Sequence, residues 1–244
     1  MAAPRTLVAA GLAALLVGLL VNLPARVAYQ WFAPQELQLG GLAGSAWNGT
    51  AAQGRAGDFY FTDLDWRFRP LGLLAGKAAF MLEARPPGGF LETRLEAGFA
   101  GNLRLDDLRA ALPLATLPGM AGAGVEGELG LNLRSLVLED GWPVAAEGSA
   151  RLAGLVLRGL SRRPIGDFHA ALRESGDGIE AALEDAAGML DLAGTAILAR
   201  ARSYRVQGRV GPKPQATPEV VQQLRLLGSP DAQGRHEFRF EGSL

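Results

Sequence analysis

The 244-residue chain contains no cysteine. That absence excludes disulfides, thiolate nucleophiles and cysteine-ligated zinc or iron–sulfur centres. It does not separate an oxidising compartment from a reducing one. Histidine is almost as scarce: His169 and His236 are the only two, too few for a histidine-rich metal site. Neither sign of charge is in excess. Lys and Arg total 24 against 25 Asp and Glu, a formal net charge of -1. Nucleic acid, which needs concentrated positive charge, is therefore not expected as a partner. Charged residues make up 20% and apolar residues 48%, so the chain has enough apolar material to fold around a core.

Long apolar runs are also missing, with one exception. Thr6 to Leu23 (TLVAAGLAALLVGLLVNL) carries no charge, and Pro24 follows it. Eighteen residues at a rise of ~1.5 Å give ~27 Å, close to the ~30 Å hydrocarbon core of a bilayer. A cleaved signal peptide has a shorter apolar region and a small-residue cleavage site, whereas Leu23-Pro24-Ala25 places proline and leucine there. A buried soluble helix would carry a polar flank. The segment reads first as an uncleaved anchor, with a signal peptide and a soluble helix as alternatives. Arg5 and the terminal amine before it, against Arg26 after it, favour a cytoplasmic N-terminus. The expected organisation is a cytoplasmic segment 1–5, a transmembrane anchor 6–23, a juxtamembrane linker 24–36 and a periplasmic all-β domain 37–244.

Beyond Leu37 the dominant period is two. Leu64, Trp66 and Phe68 alternate with Asp65, Arg67 and Arg69 before Pro70. Val125, Gly127, Leu129, Leu131 and Leu133 alternate with Glu126, Glu128, Gly130, Asn132 and Arg134. Similar sets begin at Leu91, Val144, Phe168, Ile179, Leu190, Tyr204 and Phe238. This pattern predicts antiparallel strands with one apolar and one wetted face. Parallel strands buried on both faces would be continuously apolar. The fold class expected is mainly β: a long curved antiparallel sheet with one or two short helices. Glycines on the apolar side, Gly127 and Gly148, predict curvature or close approach of another backbone. Leu108 to Pro113 is read as a short helix. Thr217 to Gly228 is read as another, with Thr217 at the N-cap, Pro218 at the first position and Gly228 past the end. Its Val220, Val221, Leu224 and Leu227 share a face.

No catalytic constellation emerges, and the chain does not read as an enzyme. Asp63-Leu64-Asp65 fits a two-letter metal motif but falls on a polar strand face. His169 lies on the polar side of its strand, and His236 has no partner at metal spacing. Ser161, Ser175 and Ser203 lack the context of a nucleophile. Glu184-Asp185 and Asp106-Asp107 are adjacent acids and point apart. No glycine-rich phosphate loop is present. Neither a metal nor a cofactor is expected.

Two segments stand out. Asn48-Gly49 predicts a two-residue hairpin turn that sets Trp47 and Trp66 on neighbouring strands. The closing segment predicts a helix, a turn through Gly228, Pro230, Asp231 and Gly234, then a last strand with Phe238 and Phe240 in the core. These segments carry a resemblance. Leu23-Pro24-Ala25-Arg26 ends the anchor. G-x-x-G-x-x-W-N-G follows at Gly41, Gly44 and Trp47-Asn48-Gly49. Leu64, Trp66, Pro70-Leu71, Leu73-Leu74 and Gly76 come next. Leu227-Gly228, Pro230-Asp231, Gly234-Arg235, Gly242 and Leu244 close the chain. In that order they resemble the type II secretion system protein N family along the whole sequence. The resemblance implies an accessory inner-membrane component of the machine that exports folded proteins across the outer membrane. Its implied partners are the inner membrane and other type II secretion components, with no catalytic residues assigned. The strand pattern also resembles the long curved sheets of AsmA-like proteins, which implies, as the alternative, a periplasmic protein that binds or moves lipid.

Overall fold

The computed structural model describes residues 4–34, 37–70, 72, 77–98, 102–117, 119–120 and 124–243. Of the motif residues, Leu71, Leu73, Leu74, Gly76 and Leu244 lie outside that set. Helix α1 spans Pro4–Val21 and α2 spans Ala25–Phe32. Fourteen strands follow: β1 (Leu37–Gly40), β2 (Ala43–Gly44), β3 (Asn48–Ala56), β4 (Phe59–Arg69), β5 (Ala78–Arg85), β6 (Phe90–Ala97), β7 (Leu103–Pro113), β8 (Val125–Glu139), β9 (Trp142–Leu157), β10 (Gly166–Ser175), β11 (Gly178–Gly188), β12 (Leu190–Ala199), β13 (Ser203–Pro212) and β14 (His236–Ser243). Helix α3 (Pro218–Leu224) lies between the last two.

All fourteen strands form one antiparallel sheet, and from β3 onward spatial order follows chain order. The predicted alternation becomes a continuous two-faced surface. One row of opposed residues runs Ala84, Leu91, Ala110, Leu131, Ala150, Ala170, Leu183, Gly194, Gly208, Phe238, from β5 to β14 without a polar side chain. The opposite face carries cross-strand ion pairs: Arg94–Asp107 at 3.3 Å, Arg151–Asp167 at 3.5 Å, Arg173–Glu180 at 2.5 Å, Arg209–Glu237 at 3.5 Å, and Arg134–Glu147. Exposed pairs contribute at most about 1 kcal/mol each, so their weight lies in fixing register. A one-residue slip would put charge on the apolar face.

The sheet curves, as the apolar-side glycines predict. Gly148 sits at φ +143 beside a register shift in β8–β9, and a Cβ there would lie 2.4 Å from the Asn132 carbonyl oxygen. The tip of the β8–β9 hairpin curls over β10 and β11. Trp142 Nε1 donates to the Ala199 carbonyl of β12 at 3.1 Å, and Arg200 meets Glu139 at 3.4 Å. In a flat sheet, β9 and β12 would be about 14 Å apart at ~4.8 Å per strand.

Several expectations are corrected. Leu108 to Pro113 is not helical. It belongs to β7, with Leu108, Ala110 and Leu112 buried on one face. A period-two apolar face with partners on both sides outweighs the helix propensity of Leu and Ala. The linker expected at 24–36 is largely helix α2. Helix α1 starts two residues earlier than the predicted anchor and ends at Val21. Arg5 thus lies inside it, leaving sixteen uncharged residues, about 24 Å at ~1.5 Å each. Among the described residues no helix is long and apolar enough to cross a membrane.

Candidate functional site

The residues singled out by sequence separate into two clusters at opposite ends of the sheet. At the first end, Trp47, Asn48, Gly49 and Trp66 build the junction between the helices and the sheet. Asn48-Gly49 is not the turn. Both residues already belong to β3, and Gly44 and Gly49 are paired. The loop is Ser45 to Trp47, closed by the Ser45 amide donating to the Asn48 carbonyl at 2.8 Å. Gly44, at φ +85, takes the left-handed conformation that Asn48-Gly49 was expected to supply. Gly49 is needed for close approach instead. A Cβ on it would stand 2.4 Å from Trp66 Cζ2 and 2.6 Å from the Ala43 carbonyl oxygen.

Around this tight packing both indole N–H groups are bonded to backbone carbonyls. Trp47 Nε1 donates to the Leu20 carbonyl at 2.8 Å, and the Ala46 amide donates to the Leu23 carbonyl at 2.8 Å. Those two carbonyls stand at and just past the C-terminal end of α1, where acceptors are left over by the helix; the Leu20 carbonyl also accepts the Leu23 amide at 3.2 Å. Trp66 Nε1 donates to the Ala46 carbonyl at 3.1 Å. The Trp47 ring packs on Phe68, centroids 4.9 Å apart, and Phe68 on Phe80 at 5.3 Å. The W-N-G segment therefore fastens the end of α1 to the sheet. Pro70 is exposed and ends β4.

Sequence reasoning missed what lies beside that junction. Helix α2 presents Ala25, Ala28 and Tyr29 toward the sheet, an i, i+3, i+4 spacing that was readable. Together with Leu37 and Leu39 of β1 they wall a groove of about 610 Å³. Its floor is Phe59, Phe61, Leu64 and Trp66 of β4, Phe80, Leu82 and Ala84 of β5, and Leu91 and Leu95 of β6. None of the described lining residues is charged. The Tyr29 hydroxyl is already engaged: it donates to the Leu37 carbonyl at 2.8 Å and accepts from the Leu39 amide at 3.1 Å. Thr93, buried in the adjacent floor, donates to the Asp106 carbonyl at 3.2 Å. The groove offers apolar surface and no unsatisfied side-chain donor among the described residues.

At the far end, Gly228, Pro230, Asp231 and Gly234 form the loop into β14. The Asp231 Oδ1 accepts the amides of Gln233 and Arg235, each at 2.9 Å. Those amides hold its carboxyl below the usual carboxylate range, aided by the charges of Arg235 and Arg209. Val220 and Leu224 of α3 are buried with Ile165, Leu190 and Val210. Phe238 packs against this cluster, as expected. Phe240 does not; it is 56% exposed. Leu227 is also exposed, because the last turn of α3 tightens to 3-10 geometry over Arg225–Leu227 and rotates it off the buried face. His236 is buried and bonds the Gly228 carbonyl through Nδ1 at 2.7 Å, while His169 is exposed. Asp185 forms a pair with Lys213. Burial opposes its ionisation, yet Lys213 and the Leu192 amide hold its carboxyl below the usual range. Its neighbour Glu184 points the other way, so the adjacent acids do not cooperate. Asp63 sits at φ +47 in a β-bulge of β4.

Three relatives align with this chain. The type II secretion system protein N of Aeromonas hydrophila is 26% identical over 235 residues, 93% of each chain. That of Vibrio cholerae serotype O1 is 25% identical over 246 residues, 94% of each chain. That of Aeromonas salmonicida is 42% identical over 43 residues, 18% of this chain and 92% of that one. No solved structure matches the chain significantly. The profile of the family described as "Type II secretion system (T2SS), protein N" matches residues 35–239, which takes in the junction residues of the sheet, the groove floor and the first half of β14, and the chain belongs to that family.

Proposed function

We propose that this protein is an accessory component of the type II secretion system, held in the inner membrane by α1 with its β domain in the periplasm. There it supports export of folded proteins across the outer membrane by contacting other secretion components, not by catalysis. Family membership supports association with that machinery. The observation that carries the membrane reading is the exposure of the described apolar side chains in the second half of α1. Leu12, Leu15, Val17, Leu19, Leu20 and Val21 are all exposed, and they point in every direction around the helix. A helix apolar all round is stable only inside a large core or a bilayer. Its uncharged length is slightly short of the hydrocarbon core, a mismatch that local thinning of the bilayer accommodates at small cost.

The test has two arms. The protein should stay with inner membranes after an alkaline wash, and external protease should cut the β domain in spheroplasts but not in intact cells. Release by the wash, or protection in spheroplasts, sinks the membrane reading. In the second arm the gene is deleted, and export of the type II substrates should fall and return on complementation. Unchanged export of every substrate sinks the secretion role.

A further inference from the structure

We infer that the groove between α2 and strands β1 and β3–β6 takes one acyl chain of a membrane phospholipid. This rests on the reading of α1 as a membrane anchor.

Position is the first argument. The groove begins at Ala25, four residues after α1 ends, and Trp47 fixes that end of α1 to the sheet through the Leu20 carbonyl. The groove is therefore fastened beside the end of the anchor. If α1 is embedded, α2 and the groove sit at the bilayer surface. Trp31 of α2, 68% exposed, suits that depth, since tryptophan concentrates at membrane interfaces.

Chemistry decides which occupant fits. The floor strands β3 to β6 are each paired on both sides, so their backbone groups are committed to the sheet. The hydroxyls of Tyr29 and Thr93 are committed as well. The outer edge of β1 is taken up by the Tyr29 hydroxyl at Leu37 and Leu39, so a peptide segment lying here would bring more amides and carbonyls than the site can bond, which is unfavourable. An acyl chain brings no polar group. The volume of about 610 Å³ lies within the range of small-molecule sites. The small side chains of Ala25 and Ala28 keep it open.

The experiment uses the full chain in vesicles of phosphatidylethanolamine and phosphatidylglycerol, doped with a phosphatidylglycerol carrying a diazirine on one acyl chain. After flotation and illumination, tryptic peptides are mapped by mass spectrometry. Label is expected on α1 and also on the peptide of residues 78–94, which carries Phe80, Leu82, Ala84 and Leu91 of the floor. Ala28→Trp, which fills the groove from α2, should cut label on 78–94 at least fivefold while flotation and α1 labelling stay unchanged and the thermal midpoint does not fall. Label confined to α1 on floating protein overturns the acyl-chain site and leaves the anchor standing. Label on 78–94 that a folded Ala28→Trp protein does not reduce also overturns it. A chain that does not float overturns the anchor and this inference together. The unsubstituted protein alone decides between the first outcomes if the variant fails to fold.

Discussion

The two ends of the sheet present the same strand pattern to a covering helix and reach different results. At the far end α3 inserts Val220 and Leu224 among Ile165, Leu190 and Val210, and Val220 is fully buried. At the end near α1, helix α2 offers Ala25 and Ala28, its one large side chain, Tyr29, is tied to β1, and a groove remains beside it. The floor is not poorer in apolar groups at the open end; it holds the larger residues, including Phe61, Trp66 and Phe80. The size of the side chains on the covering helix therefore decides whether the apolar face closes into a core or stays available.

This contrast can be broken from the closed side. Removing β14 strips Phe238 and the buried His236 from the core and exposes the β13 edge. The β domain should then lose its cooperative thermal transition; an unchanged melt would show that the last strand carries no stability. Leu224→Ala should cost about 2–5 kcal/mol, read as a drop of about 2–4 °C per kcal/mol for a domain of this size. The same change at Leu64, which lines the groove and is only half-buried, should cost clearly less. Equal losses at the two sites would erase the distinction between the ends.

The junction gives the next effect. Gly49→Ala pushes a methyl group against the Trp66 ring and the Ala43 carbonyl, and overpacking of that kind costs about 1–3 kcal/mol. Proteolysis between α1 and α2 should accelerate in parallel, because the loop that bonds Leu20 and Leu23 shifts with it. A variant with normal stability and normal protease resistance would mean that the junction tolerates displacement. From the open side, Ala28→Leu adds three carbons; at ~0.8 kcal/mol per fully buried methylene and less in an open groove, it should stabilise the detergent-solubilised protein by about 1 kcal/mol. Destabilisation instead would show that α2 already packs to capacity.

The smallest effect concerns acid. Two backbone amides and nearby arginines lower the Asp231 pKa in the folded state. A lowered folded value means that the contribution is complete above the unfolded carboxylate range. It is lost as pH falls from about 4 through the folded value. Asp231→Asn should flatten that part of the acid-stability curve and leave the neutral region nearly unchanged. An identical acid limb in the variant would remove Asp231 from this role.

The sheet was legible because its signal is repeated: the long strands alternate, and their registers line up one apolar row from strand to strand. Features that depend on a neighbour brought in by the fold were not. Phe238 and Phe240 share a strand face, yet only Phe238 lies over Gly208 and the α3 core. Periodicity cannot see where a covering layer stops. Asn48-Gly49 has the composition of a turn, but the loop centres two residues earlier because Gly49 is held against Trp66. The groove was hidden because α2 occupies a stretch read as linker, and its Ala25, Ala28 and Tyr29 give a sparse helical signal. Trp47 and Trp66 stood out by composition. That Trp47 bonds the end of α1 follows only from the geometry.

The strand order has a kinetic consequence. From β3 to β14 each strand pairs with its immediate predecessor in the chain, and the links are mostly short, such as the Asp140-Gly141 turn of β8–β9. Large β proteins usually fold slowly because distant segments must meet before any contact repays the loss of freedom. Here a strand needs only the one made just before it. A chain arriving N-terminus first can extend the sheet hairpin by hairpin from a tethered first edge, with one open edge exposed at a time until α3 and β14 complete it.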